Sequence, residues 1–210
     1  MIATEEEARA YVAARCDARA FAALERLAER LRAENERQNL VAATTLERVW
    51  TRHIADSAQL LDFVTPRPGL RWLDLGTGAG FPGLVIALMR PDFAMVLVEA
   101  RKLRGDWLRA CLAEAGAGQA RVAVQRIETV EVFPADVISA RAFAPLPKLV
   151  KLARRFSTNQ TTWLLPKGRS AAQEVAALAP SERKMFHVEQ SLTDPDAGIV
   201  VGGGTRRVDR

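Results

Sequence analysis

The chain has 210 residues, 49% hydrophobic and 26% charged, with a net charge of +5. That length suits one packed core with a small helical appendage, and that composition is ordinary for a globular protein rather than a fibrous or low-complexity one. No apolar run reaches membrane-spanning length, residues 1–20 carry Glu5, Glu6 and Glu7 where a secretory signal would be basic and then apolar, and Cys16 and Cys111 match no disulfide or metal spacing. The expectation is a cytoplasmic protein with no membrane partner and no metal.

Charge is unevenly placed. Residues 1–70 hold 10 Lys and Arg against 11 Asp and Glu, and residues 71–210 hold 20 against 14. The second part is therefore basic by six charges, which fits an anionic macromolecule such as RNA as well as a merely solvated surface.

In chain order, Thr4-Glu5-Glu6-Glu7 has capping-box spacing and predicts a helix through Tyr11 and Val12. Asp17 can cap a second, with Phe21, Leu24, Leu27, Ala28 and Leu31 on its apolar face, broken at Asn39-Leu40-Val41. Thr44-Thr45-Leu46-Glu47 reads as another capping box, opening a helix striped by Leu46, Val49, Trp50, Ile54, Leu61 and Val64. Pro66-Arg67-Pro68-Gly69 is the best internal boundary.

Next, an apolar run (Trp72, Leu73, Leu75) leads into Gly76-Thr77-Gly78-Ala79-Gly80-Phe81-Pro82-Gly83, and Leu84, Val85, Leu88 and Met89 follow with helical spacing. This is strand, glycine-rich turn, helix. A glycine turn lets a ligand approach the backbone, and the helix N-terminus points N–H groups at it. Dinucleotides and S-adenosylmethionine (AdoMet) both use such turns. Asp74 inside the strand end can support the turn and reach a cofactor's methionine end, which favours AdoMet. Glu99, closing the run Met95-Val96-Leu97-Val98, is placed to accept hydrogen bonds from ribose hydroxyls of either ligand. Gly78 should leave room for the ligand at the turn.

Strands and helices then alternate: strand 94–99, helix 101–115 closed by Gly116, strands 121–125 and 136–139, helix 146–156, strand 161–165, helix 170–178 and two last strands at 184–190 and 198–202. The alternation predicts a doubly wound, mainly parallel sheet ending in a hairpin. Too little chain follows residue 170 for the second half of a dinucleotide enzyme, so a nicotinamide-dependent oxidoreductase is the weaker alternative, and a non-catalytic RNA-binding module another.

For an AdoMet enzyme, the acceptor follows from what the other loops lack. Neither cysteine lies at a strand end to serve as a nucleophile, and Ser139-Ala140-Arg141-Ala142-Phe143 is not the Pro-Pro-aromatic loop of many amine methylases. An acceptor with its own lone pair, such as a purine ring nitrogen, needs only positioning. Arg52-His53-Ile54-Ala55-Asp56-Ser57 is either a helix face salt-bridged at (i, i+4) or a holder of cofactor loop or substrate. Lys167 and Arg169, at a strand end, form either a phosphate site or a solvated turn. Trp50, Trp72, Trp107 and Trp163 read as core.

Asn39-Leu40, Arg52-His53-x-x-Asp56-Ser57, the Asp74–Gly83 loop, Ser139-Ala140-Arg141-Ala142-Phe143 and Lys167-Gly168 together resemble the RsmG (GidB) family of bacterial rRNA methyltransferases. Order and spacing agree over residues 35–200. The resemblance implies a class I AdoMet-dependent methyltransferase: a Rossmann-like, doubly wound seven-stranded sheet with an antiparallel edge hairpin. An N-terminal helical extension over residues 1–65 would precede a core at 70–204, with 205–210 a disordered tail. It implies methylation of guanine N7 in the decoding-region hairpin of 16S rRNA by a monomer acting on the small ribosomal subunit, with another RNA substrate as the alternative. Cofactor contacts carry over onto Gly76, Phe81, Ile127, Glu128 and Arg141, with Glu99 at the ribose position; Arg141 could meet a carboxylate or RNA. Arg52, His53, Lys167 and Arg169 are the RNA-binding candidates. One departure is that Leu103 replaces the first of a basic pair, with Arg104 kept and Trp107-Leu108 in place of Phe-Leu.

Overall fold

The computed structural model describes residues 1–203. The tail expected at 205–210 lies outside the described residues. Helix α1 (Glu5–Ala13) opens with the expected capping box, the Thr4 hydroxyl accepting from Glu7 N and the Glu7 carboxylate from Thr4 N. Helix α2 (Ala18–Gln38) starts at Asp17, whose carboxylate accepts from Ala20 N, and ends at Asn39 in left-handed backbone. Leu24, Leu27, Ala28 and Leu31 form its buried stripe.

Residues 43–63 are helical but not one α-helix. A 3-10 segment (Ala43–Arg48), a π-helical turn (Trp50–Ala55), one α-turn, α3 (Asp56–Ala58), and another 3-10 segment (Gln59–Phe63) follow in succession. The capping box expected at Thr44 is absent, since no side chain caps this start. Glu5 of α1 serves the π turn instead, accepting from Trp50 N at 2.9 Å and from Thr51 N at 2.7 Å. The first helix is thereby bonded to the segment that carries Arg52 and His53.

The remaining strands and α-helices are β1 (Arg71–Leu75), α4 (Gly83–Met89), β2 (Ala94–Val98), α5 (Lys102–Ala115), β3 (Arg121–Ala123), β4 (Val137–Ala140), α6 (Leu146–Ala153), β5 (Thr162–Lys167), α7 (Ala171–Ala176), α8 (Pro180–Arg183), β6 (Phe186–Gln190) and β7 (Gly198–Gly202), with 3-10 turns at Ile127–Thr129 and Arg154–Phe156. The short α8, with Pro180 in its first turn, is not among the expected elements. The seven strands lie in the order β3-β2-β1-β4-β5-β7-β6. Strands β1 to β5 are parallel, and β7 runs antiparallel between β5 and β6. The expected hairpin forms, with β6 on the outside.

Alternation along the strands sends side chains to two cores. Trp72 and Leu97 pack with α1, α2, α4 and α5, so the N-terminal helices share a core with one face of the sheet. Leu73, Leu75 and Ile138 pack on the other face with α6 and Phe156. All four tryptophans are core residues, none more than 4% exposed.

Candidate active site

Strand order reverses at β1, between β2 and β4, which opens a crevice beyond the strands' carboxyl ends. The glycine turn sits there, left-handed at Gly76 (φ 65°) and Gly78 (φ 60°), as glycine readily allows. Two carboxylates brace it. Asp74 pairs in register with Ser139 of β4 and is fully buried. It accepts from the Ser139 hydroxyl at 2.5 Å and from Gly83 N at 3.1 Å, while Ser139 Oγ accepts from Trp72 Nε1. Burial pushes the Asp74 carboxyl up to about 6 against these hydrogen bonds. Asp74 therefore supports the turn, as expected, but lines neither cleft described below. Glu99, 6% exposed at the end of β2, accepts from Gly78 N at 3.0 Å and Arg101 N at 2.8 Å.

Two clefts flank this turn. The first, of about 400 Å³, brings together Gly76, Glu99, Ile127 and Glu128, rimmed by Arg101, Arg104, Arg126 and Lys148. Gly78 lies beside it with room at its α-carbon: an added Cβ would make only ordinary contacts, with Gly76 O at 3.6 Å and Arg104 at 3.8 Å. Phe81 and Arg141, the other two expected cofactor positions, do not line this cleft. The Phe81 ring is buried, stacked on His53 with centroids 4.8 Å apart and with the Arg141 guanidinium 5.0 Å from its centre.

The second cleft, of about 980 Å³, is lined by Thr45, Arg52, His53, Asp56, Arg141 and Lys167 among others. It shares Ala142, Phe143 and Ala144 with the first, so the loop after β4 is the wall between them. Arg141 organises the near side. It donates to Asp56 Oδ2 at 3.2 Å, to the Arg52 carbonyl at 3.1 Å and to His53 Nδ1 at 3.1 Å. Arg141 has only donors, so Nδ1 must accept and the proton sits on Nε2, which faces Thr45 Oγ1 at 2.8 Å. Burial, then the charges of Arg141 and Arg52, push the His53 imidazole down to about 3, so it is neutral at pH 7.

The salt-bridged helix face is corrected here. Arg52 pairs with Asp194 of the loop between β6 and β7, and Asp56 pairs with Arg141. Position 52 lies in the π turn and position 56 opens the α-turn after it, and each side chain pairs with a distant element instead of with the other. The two RNA candidates at the end of β5 also divide. Lys167, its side chain 8% exposed, bonds Glu174 at 2.8 Å and the Ala144 carbonyl at 3.0 Å, whereas Arg169 is 84% exposed and paired with Asp196. Cys111 lies between α5 and α2, away from both clefts, and burial pushes its thiol up to about 12, so it offers no thiolate. Sequence reasoning assigned no role to Thr45, Asp194 or Phe143. Thr45, in the first 3-10 segment, was visible only as part of the expected capping box, Asp194 is a distant loop residue with no local signal, and Phe143 was visible only as the end of the Ser139–Phe143 motif.

The sheet order, the braced glycine turn and the carboxylate ending β2 define the class I fold of AdoMet-dependent methyltransferases. Solved structures share that fold. The ribosomal protein L11 methylase of Lactobacillus delbrueckii subsp. bulgaricus aligns with a TM-score of 0.57 at 12% identity, over 74% of this chain and 78% of that one. Aeropyrum pernix fibrillarin, in complex with natively bound S-adenosyl-L-methionine, aligns at 0.53 and 17% identity, over 72% and 75%. Identities this low speak for the fold alone.

Sequence similarity carries the identification further. The family described as rRNA small subunit methyltransferase G (GidB) matches residues 20–195. The ribosomal RNA small subunit methyltransferase G of Erythrobacter litoralis (strain HTCC2594) is 57% identical over 204 residues, covering 97% of this chain and 98% of that protein. The protein of the same name from Rhizorhabdus wittichii is 53% identical over 202 residues, covering 96% and 93%. The chain belongs to the rRNA small subunit methyltransferase G family and is a methyltransferase. Among the described residues no helix is long and apolar enough to cross a membrane.

Proposed function

We propose that this chain binds AdoMet in the cleft at Gly76 and transfers its methyl group to N7 of one guanine in 16S rRNA, acting on the small ribosomal subunit in the cytoplasm. The observation that carries the reading is Glu99. A carboxylate is an acceptor with about four lone-pair sites, and the two backbone donors at Glu99 leave capacity on the cleft side for ribose hydroxyls. Ile127 offers an apolar surface for a purine face, and the bare α-carbon of Gly78 leaves room beside the turn. These residues fit the cofactor. When bound, AdoMet supplies a methyl group activated on a sulfonium.

Guanine N7 has a free lone pair and no proton to remove, so its methylation needs no general base. The second cleft matches that economy. His53 is neutral with both ring nitrogens engaged, and Asp56 accepts from Arg141, Gln59 and Thr193. What the chain can contribute is positioning and exclusion of water. Arg169 is the exposed candidate for a phosphate contact, joined by Arg101, Arg104 and Lys148 at the rim of the first cleft. Arg52 and His53, tied to Asp194 and Arg141, shape the acceptor side, and Lys167 braces the wall between the clefts.

The test is to incubate the purified protein with labelled AdoMet and small subunits from a strain lacking the enzyme, then map the product. Label on one guanine N7 is expected. Label at a ring carbon, an exocyclic amine or protein, or no label, overturns the reading.

A further inference from the structure

Phe143 stands at the boundary between the two clefts. Its half-buried ring lies against Gly76, where an added Cβ would collide with it, and it lines both cavities. It is the only Phe, Tyr or Trp lining either cleft among the described residues. The loop that carries it is held at both ends. On one side Arg141 is anchored by Asp56 and His53. On the other, Lys167 bonds the Ala144 carbonyl, and Glu174 accepts from Leu146 N at 2.8 Å. Between the anchors Ala142 adopts left-handed backbone (φ 52°), a conformation that residues other than glycine rarely hold unless their surroundings impose it. A braced loop, a strained residue and a cleft-lining ring against the glycine turn form an arrangement suited to hold a planar group.

We propose that Phe143 is the stacking platform for the acceptor base, setting the guanine's plane where the two clefts meet. This rests on the guanine reading above. Bases taken out of an RNA structure are commonly held by stacking on aromatic side chains, because each base presents a π face. His53 is poorly placed to serve in this way, being 7% exposed, with one ring face on Phe81 and both nitrogens engaged. Stacking orients the base without proton transfer, which is all that N7 requires of the protein.

The experiment compares Phe143→Tyr, Phe143→Trp, Phe143→Leu and Phe143→Ala with wild type, measuring kcat and KM for deficient small subunits, AdoMet affinity by calorimetry, and Tm. Leucine keeps most of the apolar bulk but has no π face. Leucine and alanine variants should lower kcat/KM by about 10- to 100-fold, with AdoMet affinity within about 3-fold of wild type and the aromatic variants near wild type. A leucine variant as active as wild type overturns the proposal while leaving the methylation reading intact. So does a loss of AdoMet affinity as large as the loss of transfer, which would make Phe143 a cofactor wall. A wild-type enzyme that labels no guanine sinks the reading, and this inference with it.

Discussion

Arg141 and Asp56, 85 residues apart in sequence, meet at 3.2 Å and join the helical segment before the sheet to the loop after β4. Both side chains are mostly buried, and Asp56 also holds Gln59 and Thr193. Removing one member leaves the other charge buried without its partner. Arg141→Ala should therefore destabilise the fold on the order of 3 kcal/mol, and Asp56→Asn less, because the amide oxygen still accepts. Urea unfolding of both singles and the double would show strong non-additivity; additive losses would mean the pair is not coupled.

His53 makes stability depend on pH in a definite direction. Arg141 and Arg52 face its ring, with Asp56 beyond, and its folded value near 3 lies far below the ordinary 6.5. The unfolded chain therefore takes up this proton first as pH falls, and the native state loses stability from about 6.5 downward. Between pH 7 and pH 5 the loss from this group is roughly 2 kcal/mol. Asp74 works the other way, since its raised value favours the native state on protonation, but it is common to wild type and variant. His53→Gln should flatten the acid limb by that amount in denaturant titrations at the two pH values. Parallel limbs would show that the imidazole is not held neutral.

Glu99→Ala should weaken AdoMet binding by roughly 1.5–3 kcal/mol, the usual range for hydrogen bonds to a charged group. Wild type should bind AdoMet and its demethylated product, and not NAD at comparable concentration. Because Glu99 also accepts from Gly78 N, part of the loss should appear as a lower Tm in the unliganded protein. Calorimetry separates the two effects, and equal affinity in wild type and variant would remove Glu99 from the site.

Gly78→Val should abolish AdoMet binding while the chain still folds. An added Cβ would make only ordinary contacts here, but the left-handed φ should cost about 1–3 kcal/mol with a branched side chain. Gly83→Ala offers the contrast. Its added Cβ would come within 2.5 Å of Asp74 Oδ2 and Leu97 Cδ2, so the damage should fall on stability. Normal binding by the Gly78 variant, or its outright unfolding, would make that glycine structural.

What the sequence determined by itself was local in origin. Caps at Thr4 and Asp17, the break at Asn39, the strand–turn–helix around Gly76 to Gly83 and the alternation of elements are written in neighbouring residues, where period and turn chemistry act. Glu99 was legible for the same reason, as the carboxylate ending an apolar strand. Partnerships across the chain were decided only by the tertiary structure. Arg52 sits four residues from Asp56, yet it pairs with Asp194 of the loop between β6 and β7, while Asp56 takes Arg141 of the loop after β4. Phe81, although part of the glycine loop, turns into the core under Arg141, and Lys167 folds inward to Glu174. A long side chain can reach several partners from one backbone position. The choice among them falls to whichever charge or ring the packing of distant elements brings within hydrogen-bond range, and no spacing along the chain encodes that.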